Sequence, residues 1–238
     1  MTTEISRSHT VPPRTNPSQE RATQSIGRSD NIHVRWVMPE VFHDLPVAVD
    51  DDDEAVRILE ELTAKALPGV PGEEQLKFGV LCALGLDDLV TAGAEYAAIC
   101  VLALDETPCS ATVFTSLVDS PDGVANPIRA IAASLRRTGS GNEVTEIELP
   151  CGLAVSCVGT RQERVTGELA DAGLPAVFAT SFIRVYVPLP NGTTFVMEMD
   201  TPTMTGWDTF ATLFGNIASS IRLFNTDGSA LITARAGA

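Results

Sequence analysis

Lysine is nearly missing: Lys65 and Lys77 are the only two in 238 residues, and 16 Lys+Arg face 31 Asp+Glu for a net charge of −15. Such a deficit of cations excludes a phosphate-gripping surface as the main business of the chain. Aromatics make up only 5%, which disfavours base-stacking platforms as well. Nucleic acid is therefore not an expected partner. Long hydrophobic runs are also lacking. The longest, Tyr96 to Leu104, is half of the ~20 residues that cross a bilayer, and Met1 to Asp30 holds no apolar core of a secretory signal. A soluble cytoplasmic protein is expected.

The chemistry-bearing motifs are missing too. There is no GxxxxGK[ST] loop, no GxSxG elbow and no HExxH pair. Five cysteines, Cys82, Cys100, Cys109, Cys151 and Cys157, include no CxxC pair, so a zinc site is not expected. In a reducing compartment they read as small buried hydrophobes, with Cys151 and Cys157 the one pair that could meet across a hairpin. Of three histidines, His9 lies in a polar segment and His33 on the polar side of a strand. His43, beside Asp44, is the sole candidate general base, with Cys151 as a conceivable thiol partner brought near in space. Asp44 immediately adjacent is badly placed to orient that imidazole while it faces a substrate. No catalytic residue, cofactor or metal ligand is therefore assigned.

What is present is a patterned domain with polar ends. Residues 1–30 are rich in Ser, Thr, Pro, Arg, Gln and Asn and read as a disordered arm. Its arginines recur every seven residues from Arg7 to Arg35, but no apolar heptad accompanies them, so no coiled coil follows. Residues 1–44 balance five Arg against five acids, which leaves the whole −15 on the remainder. One α+β domain is expected over 31–224, with 31–94 holding a strand and two helices and 95–224 a sheet and closing helix. A flexible tail is expected over 225–238.

Ile32, Val34 and Trp36 alternate with polar residues, the period of a half-buried strand. Asp50, Asp51, Asp52, Asp53 and Glu54 then precede apolar residues at helical spacing. Acids there cap free N–H groups and oppose the positive helix end; a calcium loop would instead alternate its ligands around a Gly. The same five residues are the candidate contact for a partner with a basic patch. A second helix is expected from Gly72 to Ala92, burying Leu76, Val80, Leu81, Leu84 and Leu89.

Strands follow at 95–104 and 110–118, then a helix at 124–137 ended by Gly139 and Gly141. The run Gly139-Ser140-Gly141-Asn142 leads into a strand, so it is a connector and not a phosphate cradle. Further strands are expected at 143–149, 153–160, 176–189 and 193–199, with 161–173 a charged stretch of no clear period. Trp207, Phe210, Ala211, Phe214, Ile217, Ala218, Ile221 and Phe224 mark an amphipathic helix to Phe224, with Thr205 and Asp208 as its capping pair. Phe182, Val185, Phe195 and Met197 could line a cavity for a small molecule or lipid, the alternative to protein binding.

The stretch Phe182 to Pro190, the strand Thr194 to Met199 and the closing Trp207–Phe224 helix together resemble the PsbP/Mog-type fold, an antiparallel sheet sandwiched by helices. They are similar to the end of actinobacterial LpqN-like proteins, as is Val41-Phe42-His43-Asp44-Leu45-Pro46 before the acidic helix to uncharacterised proteins of that group. The resemblance implies a non-enzymatic adaptor or chaperone, accessory to a secretion or envelope apparatus. It carries no catalytic residues to transfer, and the chain has no lipidation signal.

Overall fold

The computed structural model describes residues 32–104, 107–120, 125–139, 141–164 and 177–231. The expected arm over 1–30, much of the charged stretch 161–173 and the last seven residues of the expected tail lie outside them. The described chain runs β1 (Ile32–Arg35), β2 (Phe42–Leu45), α1 (Asp52–Ala66), α2 (Gly72–Thr91), β3 (Tyr96–Leu104), β4 (Thr107–Asp119), α3 (Pro127–Thr138), β5 (Glu143–Leu149), β6 (Gly152–Arg164), β7 (Val177–Pro188), β8 (Thr193–Thr201), α4 (Trp207–Ser219) and β9 (Arg222–Asn225).

Seven strands form one antiparallel sheet in the order β2-β3-β4-β8-β7-β6-β5, and β1 pairs with β9 in a separate ribbon. After β4 the chain crosses through α3 to the far edge, and β5 to β8 walk back until β8 meets β4. The α+β class expected from the pattern is observed.

Side chains alternate across a strand, so the register sorts them into two faces. On one face, Val113, Val185, Val187, Phe195, Met197 and Met199 meet Phe210, Phe214 and Ile217 of α4, together with Ile32, Val34 and Leu223 of the ribbon. Trp36 fills one end of this core, its ring centroid 5.4 Å from Tyr96 and 5.6 Å from Phe195. On the other face, Leu59 and Leu62 of α1 cover Leu45 and Ala97, and Ile128, Ile131 and Ala132 of α3 cover Val155.

Local chemistry sets several boundaries. Asn126 caps α3 by accepting from the Arg129 N–H at 3.1 Å, and Pro127 occupies its first turn, where a missing N–H costs nothing. The expected Thr205–Asp208 capping pair does not form. A short 3₁₀ turn, Met204–Gly206, leads into α4 instead, with no side-chain cap. Gly206 is required there, because a Cβ would lie 2.5 Å from Phe210 Cε2.

The closing helix also stops five residues before Phe224. The Ser220 hydroxyl donates to the Ile217 carbonyl at 2.6 Å and accepts from the Val37 N–H at 2.8 Å, which ends the helix and ties it to the segment just after β1. Beyond it, Arg222–Asn225 continues as β9, opposite β1. The chain then turns back, with the Leu231 N–H donating to the Leu223 carbonyl at 2.8 Å.

Candidate functional site

Asp51 is the N-cap of α1: its carboxylate accepts from the Glu54 N–H at 2.9 Å, and Asp52, Asp53 and Glu54 fill the first turn. Further along, Glu54 pairs with Arg57 at 2.7 Å, Arg57 also meets Glu61, and Lys77 reaches Glu73 and Glu74 at 3.0 and 3.1 Å. Asp50, Asp51, Asp52 and Asp53 are exposed and form no ion pair among the described residues. Between Asp50 and Asp88 the two helices carry eleven Asp and Glu against Arg57, Lys65 and Lys77.

Of the expected buried stripe of α2, Leu84 and Leu89 are half-buried, Leu89 against the core, and the other three residues are exposed. Leu76, Val80 and Leu81 are 68%, 49% and 40% exposed, as is Val90 at 53%. Cys82 is the helix's one buried residue, flanked by half-buried Phe78, Leu86 and Leu89. This helix is apolar on several sides, so spacing alone leaves its rotation open. Tertiary packing turns the 78-82-86-89 side inward. Solitary exposed apolar residues are ordinary, but Leu76, Val80 and Val90 recur along one side of this helix.

A second group of charges escaped the sequence reading. Arg161 on β6, Arg184 on β7, and Glu198 and Asp200 on β8 share the face that α1 and α3 flank. Glu198, only 1% exposed, accepts from both arginines, one at each carboxylate oxygen. Arg161 also donates to Glu163 and, at 2.8 Å, to Asp200; Arg184 donates to the Tyr186 hydroxyl at 3.0 Å. Both guanidiniums lie 5.5 Å from the Phe182 ring centroid. Burial lifts the Asp200 carboxyl to about 6 against the opposing pull of Arg161, with Glu198 and Glu163 adding to the rise. Gly159 makes room for Phe182, since a Cβ there would lie 3.0 Å from its ring and closer still to Asn142.

The cluster is largely self-satisfied, with three carboxylates on two guanidiniums, and acts as a cross-strand tie. Among the described residues its one loose end is the Thr180 hydroxyl, buried without a hydrogen-bond partner. In sequence these residues belong to three separate segments. Only the β6-β7-β8 register brings them together.

His43 and Asp44 point to opposite faces of β2. The Asp44 carboxylate accepts from the Tyr96 hydroxyl at 2.7 Å, while half-buried His43 stands opposite Ile99. Burial lowers the His43 pKa, as does Lys65, and Asp44 only partly opposes them. Cys151 sits at the β5–β6 turn, five strands away from β2 in the sheet, which at sheet spacing is on the order of 20 Å. No Cys–His pair forms there.

All five cysteines are buried and free. Burial raises the thiol pKa of Cys82 and Cys100 to about 11 and also raises those of Cys151 and Cys157. Cys157 shares the face of Arg184, its neighbour on β7, whereas Cys151 belongs to the opposite core. They do not bridge the hairpin. The four residues expected to line a cavity also divide: Val185, Phe195 and Met197 are packed with α4, and Phe182 faces the charge cluster. They do not enclose one space.

Among the described residues no group of three His, Cys, Asp or Glu gathers as a metal site, and no helix is long and apolar enough to cross a membrane. No protein-family model matches the chain, and no curated protein is similar to it.

Proposed function

We propose that the chain is a non-enzymatic cytoplasmic adaptor or chaperone that binds another protein through the outward side of the α1–α2 hairpin. The observation that carries this reading is the 20-residue helix α2 with a single buried residue and four large apolar side chains exposed to water. Keeping such a helix exposed costs solubility without adding to the core. The exposed carboxylates Asp50, Asp51, Asp52 and Asp53, with Glu54 beside them, suit a partner bearing a basic patch. Helices on both faces of an antiparallel sheet are compatible with the PsbP/Mog-type arrangement and its accessory role in secretion or the envelope; that part rests on resemblance.

The test places the photo-crosslinking residue p-benzoylphenylalanine at Val80, or at Leu153 on β6, which is similarly exposed at 48%. In extract of the cells that make the protein, position 80 is expected to capture discrete partners that position 153 does not. Capture should weaken as salt rises toward about 0.5 M, where screening shortens the reach of charge. Equal labelling at both positions would remove the hairpin as the docking side.

A further inference from the structure

Along α2, Leu76, Val80, Ala83, Asp87 and Val90 recur at steps of three and four residues and so share one side of the helix. All five are exposed, and the inward residues Phe78, Cys82, Leu86 and Leu89 lie on a different side. Asp87 interrupts this apolar row in the C-terminal part of the helix. The last turn holds no basic residue, and neither Asp87 nor Asp88 has an ion-pair partner among the described residues. Carboxylates near the negative end of a helix are unfavourable. The fold thus leaves both an uncovered apolar row and an uncompensated anion within it.

We propose that this row docks an amphipathic helical segment of a partner protein. The segment's apolar residues cover Leu76, Val80 and Val90, and one of its Lys or Arg side chains meets Asp87. The proposal rests on the protein-binding reading above and adds the partner's chemistry, in the helix-on-helix mode of peptide recognition.

Charge argues against the other occupants. A second copy packed on the same row about a two-fold axis, helices antiparallel, sets Glu73 and Glu74 against Asp87 and Asp88 with only Lys77 between them. The basic helix α3 of a second copy offers Arg129, Arg136 and Arg137, but its apolar residues Ile128 and Ile131 are buried in its own sheet. An anionic lipid surface is repelled by the acidic rim.

The test uses fluorescence anisotropy of the full chain with a labelled synthetic helix of about 18 residues, Leu at amphipathic spacing and Lys elsewhere. A twin peptide carries Glu in place of Lys. The Lys helix is expected to bind the native chain. Leu76→Ser with Val80→Ser should weaken that binding about tenfold, and Asp87→Lys should weaken it similarly while strengthening the Glu twin, as expected for a desolvated anchor and a contacted charge. Unfolding midpoints close to the native value confirm that these exposed substitutions leave the fold intact.

Lys-helix binding indifferent to both variants would mean diffuse attraction to the acidic body and would overturn the proposal. So would equal affinity for the Glu twin, no binding of either helix, or binding of phosphatidylglycerol vesicles that depends on Leu76 and Val80. If crosslinking at Val80 persists while the peptide result fails, the adaptor reading stands and only the helical, cationic partner is lost; failure of crosslinking strikes the adaptor reading itself.

Discussion

Glu198 concentrates the most consequential charge chemistry of the molecule into one side chain: a carboxylate 1% exposed that accepts from both Arg161 and Arg184. Removing it leaves Arg184 without its carboxylate, while Arg161 keeps Glu163 and Asp200; breaking a buried ion pair costs roughly 3–5 kcal/mol. Glu198→Ala is expected to destabilise by about that amount in urea titration; a loss below about 1 kcal/mol would show that the arginines relax freely into water. Asp200 adds a pH dependence. Its carboxyl is lifted to about 6, above the ~3.9 of an unfolded chain, so the folded state holds this proton more tightly. Its contribution to stability is therefore greatest below about pH 4 and declines as pH rises to about 6, by on the order of 3 kcal/mol. Asp200→Asn should remove that decline when native and variant stabilities are subtracted pH by pH. Asp51 presents a smaller case: its cap bond to the Glu54 N–H predicts a loss of ~1 kcal/mol for Asp51→Ala, read as a lowered unfolding midpoint.

At the scale of elements, α4 is the main cover of its face. Phe210, Phe214 and Ile217 are at most 2% exposed, and Phe214→Ala should cost about 3–5 kcal/mol through lost burial and the cavity left behind. Calorimetry that finds less than about 1 kcal/mol would mean the face is covered by something else. This element was legible in the sequence, because its apolar residues occupy one side only and large aromatics dominate them. Its end was not. Ile221 and Phe224 continue the helical spacing, yet both lie past the Ser220 turn, Phe224 on β9 opposite His33 of β1. Ile221 still reaches the core as a helical residue would, whereas half-buried Phe224 lies under Arg35 on the other side of the ribbon, and spacing alone does not show where a helix yields to a strand. The α2 stripe failed for the opposite reason: Leu76, Val80, Leu81, Leu84 and Leu89 surround much of the helix, and only contact with α1 and the sheet selects which side is buried.

Across the whole molecule, the −15 of the chain opposes compaction through self-repulsion. The Arg161–Glu198–Arg184 tie centres on buried Glu198 with half-buried arginines and is less screened, whereas the carboxylates of the α1–α2 hairpin stand in water and are strongly screened. Raising NaCl from about 0.02 M to about 0.3 M shortens the screening length severalfold and is expected to raise the thermal midpoint. A midpoint that falls instead would show surface pairs such as Arg57–Glu61 outweighing repulsion.

The sequence by itself determined the α+β class, most strand and helix positions, the acidic cap of α1 and the aromatic face of α4, because each follows from local periodicity, capping chemistry and turn residues. Only the tertiary structure decided which side of α2 meets water and that Arg161, Arg184, Glu198 and Asp200 form one cluster. Those outcomes depend on strand register and helix rotation, which are set by contacts between segments far apart in the chain. No single segment carries that information.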